Sequence, residues 1–175
     1  MGRTPPIRVG HGYDLHRLAP IAPAGEGKPL VLGGVTIPST IGPVAHSDGD
    51  ALLHAVTDAI LGAIAAPDIG QLFPNTDPSN AGRNSVDFLR AAMSHAAQSG
   101  YQLANVDVTV VLEHPKLFPY KSAMRAALAE ALGVDVGDVN IKGKTGEAVG
   151  PVGRLEAVEV HAVVLMVQDR QPRDG

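Results

Sequence analysis

The segment 155–167 carries apolar residues on both faces as it nears its end, and this constrains the fold more than any other stretch. A strand alternates its side chains, so one apolar at every position needs cover on two sides. Helices of the same chain cover one face. Val163, Leu165 and Val167 remain on the other, and further subunits are the expected cover. The aromatic share is only 3%, so the core has to be packed from Ala, Val, Leu and Ile, which also favours burial between subunits.

The remaining pattern sets the order of elements. Residues 7–15 read as a strand, and 30–38 as a second, interrupted by Gly33 and Gly34. A helix is expected from Asp50 to Ala65, capped by Ser47 with Asp50 three residues later, and stopped by Pro67. Residues 68–84 form a long loop rich in Gly, Pro, Asn and Asp. A helix follows over 85–99 with Gly100 behind it, then a strand over 105–113, with Val106, Val108, Val110 and Leu112 on one face. A third helix spans 122–132 and closes at Gly133; strands follow at 139–144 and 155–167, with a glycine-rich loop over 145–153 between them. The tail from 168 is polar and expected to be disordered. The result is a single α/β domain over 1–175, ordered from about 7 to 167. Its four-stranded mixed sheet has helices on one face, in two layers.

Composition excludes several roles. Net charge is −4 and no basic run exists, which argues against a nucleic-acid surface. Cysteine is absent, so disulfides and thiolate metal sites are ruled out. No apolar run has the length of a membrane span, and residues 1–6 lack a leader's apolar stretch, so a cytoplasmic protein is expected.

The chemistry concentrates in a few segments. In the first strand the period of two puts Asp14 and His16 on one face. Alone they are a polar pair at a strand end or two metal ligands; His54, on a buried helix, favours the second. One carboxylate and two imidazoles form a common open zinc set. Asp58, one turn on, either orients His54 or belongs to a salt bridge or a solvated face. His46 and Ser47 precede a helix start that either binds phosphate or is simply capped. Lys142, Lys144, Thr145, Gly146 and Glu147 make a charged hairpin or a polyphosphate cradle in which Glu147 offers oxygen to a hard cation.

Taken together, Gly10-x-Gly12-x-Asp14-x-His16, the His46–Asp50 helix start with His54, Asp68-Ile69-Gly70 with Phe73–Asp77, and Gly153-Arg154 with Glu156 resemble the 2-C-methyl-D-erythritol 2,4-cyclodiphosphate synthase family across nearly the whole chain. The resemblance implies a metal-dependent lyase that folds 4-diphosphocytidyl-2-C-methyl-D-erythritol 2-phosphate onto itself and releases CMP. It implies Zn²⁺ on Asp14, His16 and His54, and Mg²⁺ or Mn²⁺ at the diphosphate, meeting Glu147. His46 and Thr145 take catalytic roles. Asp68, Ile69, Gly70, Phe73, Asn75, Thr76 and Asp77 are implied as contacts to the erythritol part, and Ser47 as a further substrate contact. Leu112, Glu113, His114, Pro115, Lys116, Leu117 and Phe118 are implied to form the cytidine pocket. Lys144, Gly146 and Arg154 complete the implied substrate contacts. A homotrimer is implied too, its sheets around a threefold axis and its active sites between subunits. A water-activating phosphoesterase is the nearest alternative chemistry.

Overall fold

The computed structural model describes residues 6–74, 76, 77, 80 and 82–169. Strand β1 (Ile7–Pro20) leads to a hairpin, β2 (Val31–Leu32) and β3 (Val35–Thr36), then to β4 (Ile41–Pro43). Helices α1 (Ala51–Ala63), α2 (Ile69–Leu72) and α3 (Ser85–Gln98) follow. The chain continues through β5 (Tyr101–Val111), α4 (Lys121–Leu132), β6 (Val139–Lys144), the short α5 (Gly150–Gly153) and β7 (Ala157–Gln168). No helix among the described residues is long and apolar enough to cross a membrane.

The main sheet has five strands in the order β4-β1-β7-β5-β6, one more than the four expected. It is mixed: β5 and β6 run parallel, and the other pairs are antiparallel. The extra strand has a simple origin. β1 continues five residues past the expected end at 15, while its pairing with β7 stops at Arg17↔Ala157. The remaining backbone groups need a partner, and β4 supplies it over Leu18 to Pro20.

The expected strand over 30–38 is instead the β2–β3 hairpin, which stays outside the main sheet. Gly33 and Gly34 sit at φ +61° and +76°, the left-handed pair that a two-residue hairpin turn demands. Asp50 fastens this turn to α1. Its carboxylate accepts the Gly33 and Gly34 N–H groups at 2.9 and 2.7 Å, and the Leu53 N–H at 3.1 Å. Asp50 is therefore the N-cap, not Ser47, and it is wholly buried. The helix also stops sooner than expected. Ala63 ends it, Ala65 takes φ +57°, and Pro67 lies beyond.

Helix α1 lies directly on β1. A Cβ on Gly10 would sit 1.8 Å from the Ala59 carbonyl oxygen, and one on Gly12 would sit 1.9 Å from that of Ala55. Two glycines facing a helix edge of alanines thus let strand and helix backbones meet. Val106, Val108, Val110 and Leu112 are buried as expected, against Val158, Val160, Ala162, Val164 and Met166 of β7. The other sheet face is open in this chain: Ile7, Val9 and Val163 are 56%, 64% and 43% exposed.

Candidate functional site

The β1–α1 contact determines the site's geometry. Gly10, Gly12, Asp14 and His16 alternate onto the strand face that meets α1, so the glycines bring the two polar residues beside His54. The glycines serve helix packing. Asp14 Oδ2 lies 2.8 Å from His16 Nδ1 and 3.4 Å from His54 Nδ1. One ligand atom from each of the three falls within 4.8 Å of the others. Apart from each other and His54 Nδ1, the buried Asp14 Oδ2 and His16 Nδ1 have no hydrogen-bond partner. Unmatched buried polar atoms are costly, and a divalent cation satisfies both at once. The donor set fits such an ion.

The electrostatics agree. Burial alone would raise the Asp14 pKa, but the hydrogen bonds and charge of His16 and His54 outweigh it and bring it down to about 2. Burial works against charge on His54, yet Asp14, with help from Asp50 and Asp48, raises its pKa above the ordinary value. The pocket thus favours positive charge between these groups.

The far edge of the His54 ring was not legible in the sequence. Its Nε2 is 2.8 Å from Ser85 Oγ and 3.3 Å from Ser47 Oγ. Ser85, at the start of α3, is fully buried and is held in turn by Asp48. Asp58 does not orient His54; its carboxylate accepts the Ile69 N–H at 2.8 Å and anchors α2. Burial raises the Asp58 pKa against that hydrogen bond.

The cluster opens into a cavity of about 300 Å³ that His46, Ser47, Ile69, Gly70 and Phe73 also line. Phe88 and Asn80 line it as well, and neither was singled out in the sequence. Arg83 stacks over Phe73 and Phe88 at 5.1 and 5.3 Å, which fixes that wall. Asp68 caps α2 rather than lining the cavity, accepting the Gln71 N–H at 2.8 Å. Thr76 and Asp77 are exposed and outside the lining, and Asn75 lies outside the described residues.

A second cavity, of about 340 Å³, is lined by Leu112, Lys116, Leu117, Phe118, Lys144, Thr145 and Glu147 from the implied nucleotide and phosphate set, and by Gly143 and Lys121, which that set did not include. Phe118 is 87% exposed there, a ring face available to a flat ligand. Glu113 braces the loop from behind by accepting the Gly146 N–H at 2.9 Å, and His114 and Pro115 follow it in the same turn outside the lining. The Thr145 hydroxyl donates to Glu147 Oε1 at 2.9 Å, so Glu147 belongs to this cavity and not to the histidine cluster. Lys142 does not join the cradle; it faces the open side of the sheet and pairs with Asp107 at 2.5 Å. Arg154 pairs with Glu156 at 2.9 Å in an exposed position that lines neither cavity. The two cavities share no lining residue.

The profile of the YgbB family matches residues 7–167. The 2-C-methyl-D-erythritol 2,4-cyclodiphosphate synthase of Chromobacterium violaceum is 50% identical over 162 residues, covering 93% of this chain and 99% of that protein. Among solved structures, the bifunctional IspDF of Campylobacter jejuni superposes with a TM-score of 0.86 at 40% identity, over 93% of this chain and 42% of that longer one. The CDP complex of IspF from Plasmodium falciparum gives 0.81 at 35% identity, over 94% of this chain and 97% of that one.

Proposed function

The chain belongs to the YgbB family, and from that premise we propose that it cyclises 4-diphosphocytidyl-2-C-methyl-D-erythritol 2-phosphate to 2-C-methyl-D-erythritol 2,4-cyclodiphosphate. This is a phosphorus–oxygen lyase reaction of non-mevalonate isoprenoid biosynthesis, and it releases CMP. The observation that carries the reading is the Asp14–His16–His54 cluster, whose buried Asp14 Oδ2 and His16 Nδ1 have no partner outside it, at the wall of a cavity of about 300 Å³.

The bond changes are few. An oxygen of the 2-phosphate forms a bond to the β-phosphorus, the bond from that phosphorus to the CMP oxygen breaks, and no water enters. Such a transfer needs alignment and charge neutralisation rather than a protein nucleophile. Well-oriented intramolecular attack contributes roughly 7–11 kcal/mol. Asp14, His16 and His54 would hold Zn²⁺, and Glu147 would hold Mg²⁺ or Mn²⁺ at the diphosphate; both ions supply positive charge against phosphoryl oxygens. His46, exposed at the rim of the first cavity, and the Thr145 hydroxyl in the second are the donors assigned to the developing charge. Lys144 and Lys116 add positive charge beside the second cavity, where Phe118 presents an exposed ring to the cytosine. Arg154 stays with Glu156, so its implied contact to substrate is assigned to the assembled protein only.

The same reading includes a homotrimer. One substrate carries both the tetrol phosphate and the nucleotide, yet a single chain offers their sites in two separate cavities. Assembly through the open apolar face of the sheet, at Ile7, Val9 and Val163, lets one copy's first cavity meet its neighbour's second. Incubation with the diphosphocytidyl substrate tests the chemistry. The cyclic diphosphate and CMP are expected; an open-chain bisphosphate would instead indicate a water-activating phosphoesterase.

A further inference from the structure

We propose that Ser85, anchored by Asp48, is a positioning residue that fixes the tautomer of His54, so that Nδ1 and not Nε2 is the metal-binding nitrogen. The argument is a proton count. The Asp48 carboxylate only accepts hydrogen bonds. Its Oδ2 takes the Ser85 backbone N–H at 2.9 Å, and its Oδ1 is in close contact with Ser85 Oγ. The Ser85 hydroxyl proton is therefore committed to Asp48. Its oxygen then has only lone pairs to offer His54 Nε2, 2.8 Å away, so Nε2 must carry the ring proton. Nδ1, which faces Asp14 Oδ2 at 3.4 Å, is left as the nitrogen whose proton a cation can displace.

The surroundings leave the ring little alternative. Ser47 Oγ, the other neighbour of Nε2, already accepts the Gly49 N–H and lies farther off at 3.3 Å. Phe88 packs against the ring at 5.8 Å between centroids, and His16 at 5.3 Å. Asp48 is itself fixed from both sides, since it also accepts the Asp50 N–H at 3.2 Å. The relay therefore ties three segments to one nitrogen: the loop before α1, the start of α3, and α1 itself. Ligand histidines are commonly oriented this way by a partner on the far nitrogen, and losing the partner typically costs 10–100-fold in metal affinity.

The inference rests on the metal site of the proposed function, and the test separates the two. Zinc affinity is measured by chelator competition for the wild-type protein, His54→Ala and Ser85→Ala. Imidazole ¹⁵N NMR of the zinc-loaded wild type reads the tautomer directly. The proposal expects a proton on His54 Nε2 and zinc on Nδ1. It also expects Ser85→Ala to bind zinc about 10–100-fold more weakly, with the Nε2–H signal shifted or broadened. Zinc on Nε2 of the wild type overturns it, as does a folded Ser85→Ala protein that binds zinc within twofold of wild type. If Ser85→Ala does not fold, the wild-type tautomer decides alone. A wild type that binds zinc no better than His54→Ala would overturn the metal site itself, a result distinct from the failure of the relay.

Discussion

The two cavities are built differently. The first stands on β1 and α1, whose backbones touch at Gly10 and Gly12, and it is tied down by the buried carboxylate of Asp50 and the buried hydroxyl of Ser85. The second is made from the ends of β5 and β6, the turn that follows β5 and the loop after β6. Its Phe118 is exposed, and Glu147 and Ala148 adopt φ +51° and +59°, uncommon for residues with side chains. Ligand atoms that must converge within a few ångströms sit on regular elements whose spacing the core dictates. The residues that line the second cavity sit on exposed loops and strand ends, which in the proposed trimer a neighbouring copy would enclose.

Changes that strike one cavity alone test this contrast. His54→Ala should lower CMP release by ~10²-fold or more, as loss of electrostatic stabilisation does, while CDP affinity measured by calorimetry stays near wild type. A parallel loss of CDP affinity would mean the cavities are not separable. Thr145→Val strikes the other cavity and should lower turnover by about 10–100-fold through one lost charge-assisted hydrogen bond, with zinc content unchanged. Gly12→Ala sharpens the structural side. Its methyl group would sit 1.9 Å from the Ala55 carbonyl oxygen. Overpacking of this kind costs about 1–3 kcal/mol or more, to be read by urea unfolding, and zinc affinity should fall with it because Asp14 is pushed from His54.

The smallest effect concerns the open sheet face. The hydrogen bond from Lys142 holds the Asp107 pKa below its ordinary value against weak burial, with help from Asn140. A depressed carboxylate pKa contributes stability above its unfolded value and loses it as pH falls through the folded one. Asp107→Asn should therefore lower stability slightly at pH 7 and by less as the pH is taken down through the carboxylate range, measured by thermal unfolding. An equal loss across that range would mean that shape and not charge matters there.

Much of this was legible in the residues. The period of two places Asp14 and His16 on one face, and the apolar run around His54 marks a buried helix, so the cluster that could hold a metal was readable from one strand and one helix. Ser85 could not, because its contact with His54 spans 31 positions and arises only when α3 packs beside α1. Its one local signal, a serine at a helix start, reads equally well as ordinary capping. Asp50 was legible as an acid near a helix start but not as the cap, since its main partners are the amides of a hairpin 16 and 17 residues earlier. The fifth strand was hidden by its length of three residues and by Pro43, which argues against a strand unless it lies at an edge. Lys142 was drawn into the phosphate cradle by spacing along the chain, while strand alternation turned it to the opposite face.

The most direct test is anomalous scattering at the zinc edge from crystals grown with zinc and CDP. A single strong peak is expected where Asp14 Oδ2, His16 and His54 Nδ1 converge, with CDP resting in the Lys116–Phe118 cavity of an adjoining copy. Absence of a peak at that point, with zinc bound elsewhere on the chain, would contradict the account.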